Sequence, residues 1–215
     1  MAIKNEIAAV LEKRRGEAVS GQELADMLGV SRAAVWKAVK QLQDEGYHIS
    51  AGRNRGYILG NETDVLSAEG IRLNLPERYR EVPVEVYRTV ESTNNLAKSA
   101  ALGGSAHGTI IAADEQTAGR GRFGKRFYSP SDTGLYMSVI LKPHKPLSDC
   151  FFITAAAACA ITDSIEELCG ITTGIKWVND IFYSGRKICG ILTEAISDFE
   201  SGMAEVVIVG IGVNI

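Results

Sequence analysis

The feature that most constrains this chain is the order of apolar periodicities and turn residues in its first sixty positions. Ile3, Ile7, Val10 and Leu11 recur at helical spacing, and residues 14–16 close that helix on Gly16. Leu24, Ala25 and Leu28 mark a second short helix over residues 22–28, after which Gly29 supplies a tight turn. Ser31 stands where its hydroxyl can accept an orphan backbone N–H, so a third helix begins there and runs to Glu45. Val35, Ala38, Val39 and Leu42 are its buried stripe. Gly46 stops the helix, and two short strands follow over residues 47–51 and 57–59, with a turn between Gly52 and Gly56. Helix, helix, turn, helix, hairpin is the order of a winged helix-turn-helix.

On that frame the cations have a place. The helix-turn-helix extends from Gly21 to Lys40, and Ser31, Arg32, Lys37 and Lys40 lie off the apolar stripe, where major-groove and phosphate contacts belong. Arg53 and Arg55 at the hairpin tip are candidate wing contacts to backbone or minor groove. The plainer alternative is a small helical domain whose solvated cationic face meets proteins. The Leu-Ala-x-x-Leu-Gly-Val-Ser-Arg succession favours DNA as the partner. Trp36 stays open between core, dimer contact and DNA contact. Charge distribution agrees: residues 1–60 carry nine Lys or Arg against seven Asp or Glu, the rest fourteen against nineteen. A slightly basic head on an acidic body permits a local DNA footprint and excludes a uniformly basic nucleic-acid binder.

At 215 residues the chain is long enough for two domains. Its 46% hydrophobic and 23% charged content is that of a soluble globular protein. The longest apolar run, residues 151–161, is too short for a bilayer, and Asp163 and Glu166 follow it, so no membrane partner is expected. The amphipathic start is not a signal peptide. Cys150, Cys159, Cys169 and Cys189 have no paired spacing and only three histidines in the chain to join them. They read as buried thiols in a reducing cytoplasm, with no metal site. The polar, turn-rich residues 60–67 break the pattern. The expected organisation is a winged helix over 1–60, a connecting segment over 61–83 and a second domain over 84–215.

That second domain reads as short strands with two helices: strands at 84–89, 109–113, 134–141, 174–177, 181–183, 187–195 and 205–211, helices from Ser92 or Thr93 to Leu102 and over 151–169. Hairpin links such as Ser184-Gly185 make it a mixed, mainly antiparallel sheet, and the chain as a whole α+β. Between two strands lies Gln116-Thr-Ala-Gly-Arg-Gly-Arg-Phe-Gly-Lys-Arg-Phe127. Gly119-x-Gly121-x-x-Gly124 matches a dinucleotide fingerprint but no helical pattern follows. Gly119 to Lys125 nearly matches a P-loop, yet Arg126 replaces the hydroxyl that would hold magnesium. What remains is physical: flexible glycines and four cations (Arg120, Arg122, Lys125, Arg126) within seven residues suit a polyphosphate. A flexible solvated loop or a second nucleic-acid contact is the alternative reading of the loop alone.

Two more segments sharpen it. Glu91-Ser92-Thr93-Asn94 sits where a strand meets a helix N-terminus, so hydroxyls, an amide and free N–H groups converge. Lys176-Trp-Val-Asn-Asp180 and Arg186-Lys-Ile-Cys-Gly-Ile-Leu192 put Lys187 beside a glycine-bearing strand. Alone, Asn179 and Asp180 are ordinary turn residues and Lys187 a surface charge.

Together, Ser-Thr-Asn, Gln-x-x-Gly-Arg-Gly-Arg, Lys-Trp-x-Asn-Asp, Gly-Arg-Lys-x-x-Gly-Ile-Leu and Gly-Ile-Gly-Val-Asn occur in the order of the biotin protein ligases. The chain resembles this family over its whole length, and its N-terminal part resembles the bifunctional members that also repress the biotin operon. The resemblance implies a fold of the biotin/lipoate ligase type. It implies a two-step reaction: biotin and ATP, with Mg2+, give biotinyl-5′-AMP and pyrophosphate, and a lysine of the biotin carboxyl carrier protein then takes the biotin. It implies that Ser92, Thr93, Asn94 and Gln116 face biotin, that Arg120, Gly121 and Arg122 close over the adenylate, and that Gly190 and Asn214 line the site. Lys187 looks like the lysine that holds carboxylate and phosphate oxygens; Lys187 and Arg122 are the catalytic candidates. No side-chain nucleophile is implied, because the acceptor's lysine attacks the adenylate. The family also implies a homodimer formed on adenylate binding. A biotin-sensing regulator without full turnover and a lipoate ligase-like transferase are the alternatives. The sequence departs from the family at Phe123, where arginine is common, at Phe127, where tryptophan is usual, and at Val178, where proline is customary. Members continue past Gly-Val-Asn with a small β domain, so the expectation is that this domain is absent here and part of the nucleotide contact with it.

Overall fold

A computed structural model describes residues 3–52, 56–198 and 200–215. Contacts divide the chain into two compact units, Met1–Glu81 and Val82–Ile215.

In the first unit α1 (Ile3–Lys13), α2 (Gly21–Leu28) and α3 (Arg32–Asp44) precede the hairpin of β1 (Ile49–Gly52) and β2 (Gly56–Leu59). α2 starts one residue earlier than its periodicity suggests, because Ser20 caps it: the Ser20 hydroxyl accepts from the Glu23 N–H at 3.0 Å. Gly29 ends α2 in the left-handed conformation at φ 64°. Ser31 caps α3 by accepting from the Ala34 N–H at 3.2 Å. Ile7, Leu11, Leu24, Val35, Leu42 and Leu59 are fully buried together, so each helix turns its apolar stripe to one core. The segment expected as a connector is part of this unit. Val65 packs on the same core, the Thr63 hydroxyl accepts from the His48 N–H at 3.1 Å, and α4 (Ala68–Asn74) follows, capped by Ser67. Its polarity hid a cap, which satisfies backbone groups without adding apolar residues. Arg53 and Arg55 lie outside the described residues.

The second unit is an eight-stranded sheet in the order β3 (Val84–Val90), β4 (Ile110–Gln116), β5 (Gly134–Leu141), β10 (Met203–Asn214), β9 (Arg186–Ser197), β8 (Asp180–Tyr183) and β7 (Gly174–Lys176), with the short β6 (Lys145–Pro146) on the start of β10. Only β3 and β4 run parallel, because α5 (Thr93–Leu102) carries the chain between them. Alternation along β10 assigns its two faces. Val207, Val209 and Ile211 bury with α6 (Phe151–Cys169), whereas Val206 and Ile208 bury with Ala97 and Ala101 of α5.

Residues 147–169 are long and apolar enough, by length and composition, to cross a membrane. The uninterrupted run alone had suggested otherwise, since its length ignores how few charges interrupt the wider stretch. In this fold α6 uses one stripe (Ile153, Ala157, Ala158, Ile161) to cover the sheet and leaves Phe151, Phe152 and Leu168 exposed, and with them Cys159 and Cys169, which were expected to be buried but lie off that stripe.

Candidate active site

The face of the sheet that carries α5 changes character toward the ends of β9 and β10. On the α6 side Cys189, Ile191, Val209 and Ile211 are buried and apolar. The intervening residues, pointing the other way, are Gly190, Leu192 and Glu194 on β9, Gly210 and Gly212 on β10, and Ser138 opposite Gly210 on β5. Three glycines and a serine leave a hollow where a core would otherwise continue. A Cβ on Gly210 would overlap the Asn94 carboxamide oxygen, and one on Gly212 would meet the Phe127 ring at 2.5 Å. The hollow is an open cleft with about 450 Å³ of empty volume, its mouth included.

α5 enters the cleft by its N-terminus. Ser92, Thr93 and Asn94 are buried there, and the Ser92 hydroxyl caps the helix. The Thr93 N–H and hydroxyl both donate to Gln116 Oε1, at 2.9 and 3.1 Å, while Gln116 Nε2 donates to Ser129 Oγ at 3.0 Å. Asn94 Nδ2 donates to the Leu192 carbonyl at 3.2 Å and to Glu194 Oε2 at 2.7 Å. Ser138 Oγ stands 2.8 Å from Thr93 Oγ1 and 2.7 Å from Asn94 Oδ1, and its single hydrogen serves one of them at a time.

The glycine-rich segment is a folded hairpin over the cleft. Gly121 N–H donates to the Lys125 carbonyl and Phe127 N–H to the Gly119 carbonyl. Phe123 takes a left-handed conformation at φ 57°, is 88% exposed, and has the Arg122 guanidinium 5.1 Å from its ring centroid. No long helix follows; Arg122–Gly124 is a single tight turn and the chain then reaches β5 through a second turn at residues 131–133, the context of neither a dinucleotide fingerprint nor a P-loop. Its arginines are engaged: Arg120 with Glu194, Arg122 Nη1 with Asn179 Oδ1 at 2.8 Å, Arg126 with the Thr117 carbonyl at 2.9 Å. Lys187 Nζ reaches Asp180 Oδ1 at 2.7 Å and lies 6.0 Å from the Phe127 ring centroid. Burial against α6 pushes the Cys189 thiol up to about 12, opposed in part by the Lys187 charge, so it is inert.

Ser92, Thr93, Asn94, Gln116, Arg120, Gly121, Arg122, Lys187 and Gly190 therefore line one cleft, as do Phe127 and Asn179. Asn214 does not: its Nδ2 stands 3.5 Å from the Lys187 carbonyl oxygen, at the strand end. The sequence reading missed Ser138 and Glu194. Glu194 was reachable by parity, as the second alternate residue after Gly190; Ser138 needed the register with Gly210. In the first unit Arg32, Lys37 and Lys40 are exposed on α3, and Trp36 is 58% exposed, which removes it from the core. Among the described residues no group of three or more His, Cys, Asp or Glu is placed to hold a metal ion.

Comparison with known proteins matches both units of the chain. Residues 86–214 match the model of the biotin/lipoate A/B protein ligase family, and residues 4–58 match a helix-turn-helix domain. The chain is 38% identical over 213 residues to the bifunctional ligase/repressor BirA of Bacillus subtilis, covering 99% of this chain and 65% of that protein. The namesake in Escherichia coli is 29% identical over 93% of this chain and 60% of its own length. The chain thus spans under two thirds of the curated relatives it matches. Among solved structures, the Aquifex aeolicus biotin protein ligase in complex with biotin and ATP superposes with a TM-score of 0.51 at 30% identity, over 61% of this chain and 51% of that one.

Proposed function

The chain belongs to the biotin/lipoate A/B protein ligase family, and from that premise we propose that its second unit is a biotin protein ligase and its first a DNA-binding repressor head. The observation that carries the proposal is the convergence of the α5 N-terminus, Gln116, the cationic hairpin and Lys187 on one cleft floored by glycines.

Biotin enters between the α5 N-terminus and the hairpin, with its ureido end toward Ser92, Thr93, Asn94 and Gln116 and its carboxylate toward Lys187. ATP arrives with its magnesium as part of the substrate. The carboxylate oxygen attacks the α-phosphorus, the bond to the bridging oxygen breaks, and pyrophosphate leaves with its electrons. Lys187 and Arg122 offset the negative charge that gathers on the phosphoryl oxygens. The product is a mixed anhydride that water destroys readily, and Arg120–Phe127 closes over it to exclude water. A neutral lysine amine of the biotin carboxyl carrier protein attacks the acyl carbon, AMP departs, and the amine loses a proton. The cleft needs no nucleophile of its own, in keeping with an inert Cys189.

In the first unit, exposed Arg32, Lys37 and Lys40 on α3 support operator binding in the major groove. The regulatory form is a cytoplasmic homodimer brought together by the adenylate. The test is direct: the protein is incubated with biotin, ATP and magnesium, and biotinyl-AMP and biotinylated carrier protein are measured by mass spectrometry. Both products are expected. Adenylate without transfer identifies a biotin-sensing regulator instead, and reaction with lipoate but not biotin identifies a lipoate ligase.

A further inference from the structure

Glu194 lies on β9 on the cleft face, outside every motif of the sequence. Its carboxylate accepts from Lys98 Nζ at 2.6 Å, from Asn94 Nδ2 at 2.7 Å, and from Arg120 Nη2 at 3.1 Å to each oxygen. The side chain is only 22% exposed. Burial alone would raise its pKa. The hydrogen bonds from Lys98 and Asn94 and the charges of Lys98 and Arg120 outweigh that and hold it below the ordinary 4.5, so it is ionised at neutral pH.

Its three partners come from two places. Asn94 and Lys98 stand one turn apart on α5, and Arg120 belongs to the cationic hairpin. Asn94 spends both carboxamide hydrogens on Leu192 and Glu194, so Glu194 sets which way that amide faces in the cleft. Arg120 ties the hairpin to β9 through Glu194, and Arg122 ties it to Asn179 in the turn before β8. The two ties differ in kind. Asn179 is neutral, whereas Glu194 presents an anion where an anionic ligand would bring another. Lys98 remains on Glu194 at 2.6 Å, so the carboxylate keeps a counter-ion when Arg120 leaves.

We propose that Glu194 is a positioning residue that fixes Asn94 in the cleft floor and latches Arg120 over it, so that an anionic ligand gains Arg120 by exchange with an internal carboxylate. The inference rests on the ligase reading only for the identity of that ligand, an acyl adenylate. The latch itself is carried by the contacts of Glu194 with Asn94, Lys98 and Arg120. Closure without ligand is then held by a charge pair that the ligand replaces, and the loop is set near its closed position before substrate arrives.

The experiment measures amide hydrogen exchange across residues 117–127 in the ligand-free full chain and in Glu194→Gln, Arg120→Gln and the double variant. Each single substitution is expected to speed exchange about tenfold, the size of one lost charge-assisted hydrogen bond. The double variant is expected to go no further than either single, because both remove the same pair. Unchanged exchange in Glu194→Gln, or additive effects, overturns the latch. Should Glu194→Gln fail to fold, Arg120→Lys is compared with Arg120→Gln: the cation is expected to hold the loop, and equal exchange in both overturns the proposal. Biotinyl-AMP formation by the parent is assayed alongside. Its absence with an intact exchange pattern removes the ligase reading and leaves the latch; its presence with an unaffected loop does the reverse.

Discussion

At position 210 a missing side chain admits Asn94 to the floor of the cleft, and the fit leaves no slack. Gly210→Ala puts a methyl group into the Asn94 carboxamide, which is held by Leu192, Glu194 and Ser138 and has nowhere to retreat. Overpacking of this kind costs about 1–3 kcal/mol. The expected outcome is a folded protein, less stable by that amount in urea titration, whose biotin affinity by calorimetry falls at least about tenfold. An unchanged affinity would mean that Asn94 does not meet the ligand. Cysteine chemistry gives a second test at this scale. With its pKa pushed up to about 12, Cys189 holds almost no thiolate at pH 8, whereas Cys159 and Cys169 are exposed on α6. Alkylation of the native protein is expected at those two and not at Cys189; early modification of Cys189 in a peptide map would contradict the burial that makes it inert.

Among elements, α3 and the hairpin make the sharpest claims. Arg32, Lys37 and Lys40 share the exposed side of α3, and each phosphate neutralised contributes a slope of about −0.9 to log affinity against log salt. Lys40→Ala is expected to weaken binding across all DNA sequences and to reduce the slope by about one unit per copy bound; a slope equal to the parent's would take Lys40 off the DNA. For the hairpin, Arg122→Ala removes the tie to Asn179 and a cation over the cleft. Retained adenylate is expected to be lost about tenfold faster or more, with thermal stability unchanged, by rapid gel filtration of the preformed complex. Elements such as these were legible because their signals are local: Ser31 announces α3, Gly29 the turn, and the period of residues 151–169 a helix. α4 escaped because a capped seven-residue helix with no buried side chain leaves no apolar stripe to read. Register escaped for a deeper reason. That Ser138 faces Gly210, and that Gly190 and Gly212 lie side by side, follows from pairings between distant strands, which no local pattern encodes. Nine cleft residues are found by motif; Glu194 follows from Gly190 by alternation along β9, whereas Ser138 belongs to that register. Asn214 was drawn in by its motif though its position on β10 carries it past the cleft.

At the scale of the whole chain, two units with separate cores mean that stability is two quantities. A ligand of the cleft stabilises what it binds by mass action, about 2.7 kcal/mol at a hundred times its Kd. Native-state hydrogen exchange with saturating biotin is therefore expected to slow the core amides of β5, β9 and β10 about a hundredfold; no slowing there would mean that biotin is not a ligand of this sheet. The same sheet has a consequence for synthesis. β10, last in chain order among the strands of this sheet, is the middle of it, lying between β5 and β9 and supplying the hollow's Gly210 and Gly212. As the chain leaves the ribosome, Met1–Glu81 has its whole core in hand early. The second unit must wait, its α5 and α6 emerging without the strand on which both finally rest. Until Met203–Asn214 is free, a nascent chain holds a completed first unit and an open-edged half sheet, which is the stage at which a holding chaperone has most to protect.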